Sequence, residues 1–236
     1  MSAAPQFPPL LSGRMTAGAD PFAAACRAAA EGCDAGLILY DPGPEVLRAA
    51  IVLAPEVPLC RAMAMLPLAQ VGLQNALGAL GPAELPVQME WDGTLRVNGG
   101  HCGGFSACAS DADPAAVPDW LVIGFSLRFV PESDEAGADP DRTALYSEGC
   151  GDLFPQDLLE SWARHTLAWL HRWEAEGTAP LHREWSGLLT GTDGPVAFGG
   201  TTGAYLGIDE DLGLLLKTEN GTRLIPLTAQ LTETPA

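Results

Sequence analysis

Lysine is almost missing from this sequence. Of twelve basic side chains in 236 residues, eleven are arginines and the remaining one is Lys217. Against them stand thirty carboxylate side chains, for a formal net charge of −18. A surface so charged repels polyanions as a whole, so nucleic acid is not an expected partner. Also missing is any run of the ~18 to 20 apolar residues that a membrane-spanning helix needs. The opening MSAAPQFPPLLSGR has none of the charged, apolar and small-residue succession of a secretory signal. The expected location is cytoplasmic, with no membrane partner.

No CxxC pair occurs among Cys26, Cys33, Cys60, Cys102, Cys108 and Cys150, so these read as reduced, small core residues. His165 and His171 are six apart, on different faces of a helix, which gives a zinc site no support; no metal site is expected. What is present is ordinary for a globular chain: 47% apolar residues, enough for a real core.

Asp20 to Ala30, DPFAAACRAAA, has a capping Asp, then Pro at the first helical position, then strong helix formers, and predicts a helix. GLILY (36–40) and RAAIVLA (48–54) are β-branched runs on either side of a short turn and read as paired strands. Residues 60–80, rich in Ala, Leu and Met, predict a buried helix kinked near Pro67. DWLVIGFSLRF (119–129) predicts a strand, and PESDEAGADPD (131–141) an exposed acidic loop. Residues 155–176 give the clearest helix, with Leu158, Leu159, Trp162, Trp169 and Trp173 on one broad face, where the tryptophans are core residues. From Gly191 onward, short strands alternate with GG, DED and ENG turns, the pattern of a small antiparallel barrel. The fold class is α+β: a mixed sheet with flanking helices over 1–188, and a small barrel over 189–236.

The stretch PVQMEWDGTLRVNGGHCGGF (86–105) is the most informative. Asn98-Gly99 is the dipeptide of a two-residue hairpin turn. Four of the last seven residues are glycine. Gly99, Gly100, Gly103 and Gly104 are either turn and bulge residues or a backbone that a ligand approaches closely.

This hairpin resembles the biotin protein ligase family, within the biotin and lipoate ligases. The family's KWPND-type motif, turn, and lysine followed by Ala-Gly fall without a gap on Glu90-Trp91-Asp92-Gly93-Thr94, LRVNGG and His101-Cys102-Gly103-Gly104. AYLGIDEDLGLLLKTENGTRLIPL resembles the family's C-terminal SH3-like barrel, and the likeness spans most of residues 16–232. No winged-helix DNA-binding domain is expected ahead of it. The resemblance implies that a vitamin carboxylate attacks the α-phosphate of ATP with Mg²⁺, and that the acyl group of biotin or lipoate then passes to a lysine of a biotinyl or lipoyl carrier domain. The alternative is a homologue that binds a small carboxylic-acid ligand or the carrier without ATP chemistry.

Carried over residue by residue, the resemblance places His101 at the position of the reacting lysine, as the candidate catalytic group. It places Trp91, Asp92, Asn98, Gly99, Gly100, Gly103 and Gly104 around the substrate, with Asp41 and Gly43 where the family's GRGRRGR loop should stand. That loop is replaced by Asp41-Pro42-Gly43-Pro44-Glu45, and the lysine before the tryptophan by Glu90. His101 is either a cationic stand-in or a hydrogen-bonded structural histidine. Asp41 and Glu45 are either solvated loop charges or a remodelled pocket mouth. Arg14 and Arg96 are the arginines nearest in sequence to supply an anion contact. Asp41, Glu45, Glu90 and Asp92 would each oppose a polyphosphate, by roughly 4 kcal/mol at 4 Å and an effective dielectric of 20.

Overall fold

The computed structural model describes residues 4–132 and 141–233, so most of the acidic loop read at 131–141 lies outside the described residues. Its elements follow the sequence order β1 (Ser12–Met15), α1 (Pro21–Ala30), β2 (Leu37–Pro42), β3 (Val46–Leu53), α2 (Leu59–Ala62), α3 (Met65–Leu80), β4 (Val87–Met89), β5 (Thr94–Val97), β6 (Gly100–Ala109), β7 (Leu121–Arg128), α4 (Pro155–Glu176), α5 (Ala179–Leu188), β8 (Pro195–Phe198), β9 (Thr201–Ile208), β10 (Leu214–Thr218) and β11 (Gly221–Ile225). The first seven strands form one mixed sheet in the order β1-β2-β3-β7-β6-β5-β4, parallel only between β1 and β2. The last four form a separate antiparallel sheet in the order β11-β10-β9-β8. This is the α+β architecture, with a small C-terminal antiparallel unit of the SH3-like kind.

Alternation along the central strands sends side chains to two differently covered faces. Leu47, Ala49, Ile51, Ile123, Phe125 and Leu127 face α3 and α4 in the main core, where Trp162 meets Phe125 edge to face at 4.8 Å. Buried indoles find acceptors, as burial requires. Trp162 Nε1 donates to the Ala69 carbonyl at 3.1 Å and Trp185 Nε1 to Gln70 Oε1 at 2.6 Å. The opposite face holds a smaller cluster in which Ala25, Cys26 and Ala29 of α1 cover Leu39, Ala50, Val52, Cys108 and Val122. Helix α1 is ten residues long, about 15 Å at 1.5 Å per residue, so it covers only part of these strands.

Two expectations need correction. The helix over 60–80 is two helices, broken at Met63 and Ala64, and Pro67 sits in the first turn of α3 rather than at a kink. There its missing N–H would have had no intrahelical partner in any case. The six cysteines are free, but only Cys26, Cys102, Cys108 and Cys150 are buried; Cys60 is exposed. Strand β1 carried no apolar signal: all four of its residues are exposed, and only its pairing with β2 defines it.

Candidate functional site

Beside the N-terminus of α1, the sheet face it covers opens into a cavity of about 370 Å³. Strand register decides what lines it. Arg48 on β3 lies opposite Asp41 on β2 and Ser126 on β7; Ser126 lies opposite Gly104 on β6, and Gly104 opposite Thr94 on β5. One pleat further on, Leu39, Ala50, Gly124 and Ser106 form the next row on the same face. Helix α1 buries Ala50 but does not reach over Arg48, which is left exposed on the cavity wall beside the helix's first turn. Phe22 closes the near side against Gly124, where an added Cβ would come within 2.6 Å of its ring. The Asp20 carboxylate caps α1 by accepting from Ala23 N–H at 2.9 Å and also lines the cavity.

His101 reaches this cavity through an irregularity in its strand. Simple alternation would put residue 101 on the same face as Gly103 and Phe105, against the main core. Between β5 and β6, however, Leu95 pairs with Gly103 and Arg96 with His101, so Cys102 is an extra residue. Such a bulge re-aims the side chains beyond it. Cys102 turns inward, buried, and His101 faces the cavity. Gly103 is required here: an added Cβ would lie 2.1 Å from the Ser126 carbonyl oxygen. The His101 backbone is held by residues at and just after the end of the acidic stretch, donating to the Asp141 carbonyl at 2.7 Å and accepting from Thr143 N–H at 2.9 Å.

The cavity thus gathers one permanent cation, one imidazole, the Asp20 carboxylate at its edge, the hydroxyls of Ser106 and Ser126, and glycine backbone at Gly103, Gly104 and Gly124. Arg48 has no ion pair among the described residues. A guanidinium and an imidazole on one cavity, with Phe22, Phe105 and Phe125 in its walls, suit a ligand with an anionic end and a ring or chain. Burial pushes two thiols next to these strands up to about 12: Cys26, where neighbouring Cys108 adds to the effect, and Cys102. Both are uncharged at neutral pH and take no nucleophilic part.

The profile of the Biotin/lipoate A/B protein ligase family matches residues 7–187. The chain belongs to that family. A second profile, of a domain family of unknown function, matches residues 196–233. A solved biotin protein ligase-like protein of unknown function from Silicibacter sp. is 52% identical, with a TM-score of 0.92 over 98% of this chain and 100% of that one. The biotin protein ligase of Aquifex aeolicus shares the fold at 16% identity, with a TM-score of 0.70 over 92% of this chain and 94% of that one. The biotin–[acetyl-CoA-carboxylase] ligase of Paracoccus denitrificans is 27% identical over 183 residues, 75% of each chain.

The biotin/lipoate ligase signature is not gathered at one point. Of the residues it marks, His101, Gly103 and Gly104 line the cavity. Trp91 is buried and faces the C-terminal sheet, donating from Nε1 to the Leu212 carbonyl at 3.0 Å and meeting Phe198 edge to face at 4.8 Å. Asp92 is exposed and accepts from Thr94 N–H at 3.0 Å, closing the turn of Gly93. Asn98 and Gly99, both at positive φ, form the hairpin turn, and Asn98 Nδ2 donates to Glu148 at 3.0 Å. Gly100 packs against Thr143, with 2.9 Å between an added Cβ and that side chain. Asp41 stands in register beside Arg48, while Gly43 closes the turn to β3, where an added Cβ would lie 2.9 Å from the Val46 carbonyl oxygen.

Two of the four carboxylates expected to oppose a polyphosphate, Glu90 and Asp92, lie away from the His101 cavity, while Asp41 stays beside Arg48. Glu90 is ion-paired with Arg96 and lines a separate cavity against the C-terminal sheet. Arg96 is therefore occupied, and Arg14 lies on β1 at the sheet edge, in register with Leu39. Arg48 was the arginine the sequence reading missed, although it opens the run RAAIVLA. Its position two residues before Ala50, on the face that α1 covers, was the available signal.

Proposed function

We propose that this protein activates a small carboxylic acid of the biotin or lipoate type with ATP and Mg²⁺, and passes the acyl group to a lysine of a carrier domain. In this reading His101 and Arg48 hold the carboxylate and the α-phosphate, in place of the family's lysine and loop arginines. The observation that carries it is the convergence of these two side chains from β6 and β3 on one cavity. Their work is to offset the charge that develops as the carboxylate oxygen attacks phosphorus and pyrophosphate leaves. The glycine backbone at 103 and 104 lets the reacting end approach the sheet, and Phe22 bounds the site on the α1 side. The division at 188/189 leaves this site wholly in the larger unit.

The test is ATP–pyrophosphate exchange with biotin or lipoate as the acid. His101→Ala and Arg48→Ala should each lower exchange by about 10²- to 10³-fold, the usual loss of one well-placed donor in a transition state. Exchange unchanged in either variant removes that residue from the assignment. A second reading, binding without ATP chemistry, is favoured by one observation: the β2–β3 connection spans only residues 43–45, too few for an arginine and glycine cradle. No exchange by the wild type, with binding of the acid or the carrier retained, selects that reading.

A further inference from the structure

Of helix α1, only Pro21 and Phe22 border the His101 cavity, with the capping Asp20 just before them. Beyond them Ala25, Cys26 and Ala29 are packed onto Ala50, Val52, Cys108 and Val122, and the sheet face is closed. Phe22 therefore stands at the inner end of the cavity. It is half-buried against that packed cluster and lies directly on Gly124, where an added Cβ would meet its Cδ2 at 2.6 Å and its Cβ at 3.3 Å. Bare backbone at Gly124 lets the ring rest on the sheet itself, so a ligand cannot pass beneath it.

Strand register gives the cavity a direction. Gly124 pairs with Ser106 on β6 and Ala50 on β3, while Ser126, one repeat along β7, pairs with Gly104 and Arg48. His101 lies further along β6 in the same direction, past the bulge at Cys102. The polar end, with Arg48 and His101, thus faces the aromatic end, with Phe22, along the strands. From Gly103, beside the bulge, to Ser106, in the row under Phe22, the register is unbroken. Those three residues span about 10 Å at 3.4 Å per residue, the length of an extended chain of about eight carbons.

We propose that Phe22 determines substrate specificity by stopping the tail of the acid whose carboxylate lies at Arg48 and His101. This rests on the reading of the cavity as an acid site and narrows it: acids with tails of about eight carbons fit, and much longer ones are refused.

The experiment is equilibrium dialysis of the whole protein against hexanoate, octanoate, decanoate and dodecanoate. Burial of a chain that meets no stop would raise affinity about fourfold per methylene, making dodecanoate the tightest. With the stop in place, dodecanoate should bind at least about tenfold more weakly than octanoate. Phe22→Ala should reverse that order, and Phe22→Leu, which keeps an apolar contact with the α1 cluster, should shift it in the same direction. A purely structural role for the ring would weaken all four acids alike and leave their order intact. Arg48→Ala should weaken every acid by more than about tenfold. Affinity that climbs steadily to dodecanoate in the wild type, or an octanoate preference that survives in both Phe22 variants, overturns Phe22 as the stop and leaves the acid site standing. Retention of none of the acids, or full binding in Arg48→Ala, overturns the stop together with the acid site.

Discussion

Two adjacent glycines on β6 have different causes, and substitution separates them. At Gly103 a methyl group would collide with the Ser126 carbonyl at 2.1 Å, and backbone cannot swing aside as a side chain can. At Gly104 the nearest atom to an added Cβ is the Gly93 carbonyl oxygen at 3.5 Å, an ordinary contact. Gly103→Ala should therefore cost about 1 to 3 kcal/mol, the range for overpacking. Gly104→Ala should leave the melting temperature nearly unchanged while narrowing the cavity and weakening its ligand. Equal melting temperatures for the two variants would contradict the packing account. His101 was legible because the hairpin could be aligned without a gap. Arg48 was not, because its neighbours in the site, Ser126 and Gly104, come together only through strand order.

At the scale of elements, the length and start of α1 create the site. Its N-cap Asp20 fixes where the helix begins, and the helix covers one pleat row and leaves the next open. Asp20→Ala should cost about 1 kcal/mol of stability. Because the same carboxylate lines the cavity, its removal should tighten binding of an anion, and weaker binding in calorimetry would contradict that placement. Helix α1, the β2–β3 pair and α4 were legible from capping residues and apolar periodicity. The bulge at Cys102 was not, since it is set by pairing with a partner strand. The break before α3 was misplaced because Pro67 reads as a kink until the start of the helix is known. Strand β1 has no sequence signal, being wholly exposed and defined by its neighbour.

For the whole molecule, the two sheets are tied together through the hairpin and the chain's end. Trp91 bonds to Leu212, Thr190 N–H donates to the Met89 carbonyl at 2.8 Å, and Thr232 N–H donates to the Ala107 carbonyl at 2.8 Å. The family's tryptophan thus serves the joint between units. No helix among the described residues is long and apolar enough to cross a membrane. Four buried or half-buried thiols make the fold sensitive to alkali. Burial raises Cys26 and Cys102 to about 12 and raises Cys33 and Cys150 as well. The unfolded chain ionises these thiols near 9 while the folded chain keeps them protonated, so the native state binds more protons and stability falls as pH rises from about 9 to 12. Urea midpoints that stay flat across that window would contradict this.

The claim on which the functional reading rests is that the His101 and Arg48 cavity holds an acyl-adenylate-type ligand. The most direct measurement is the thermal shift caused by non-hydrolysable biotinyl- and lipoyl-adenylate analogues in the wild type and in the His101→Ala, Arg48→Ala double variant. At one hundred times its dissociation constant a ligand adds about 2.7 kcal/mol, a rise of roughly 5 to 10 °C for a chain of this size. The account predicts that rise in the wild type with one of the analogues and little or none in the double variant. No rise in the wild type, or the same rise in both proteins, would contradict it.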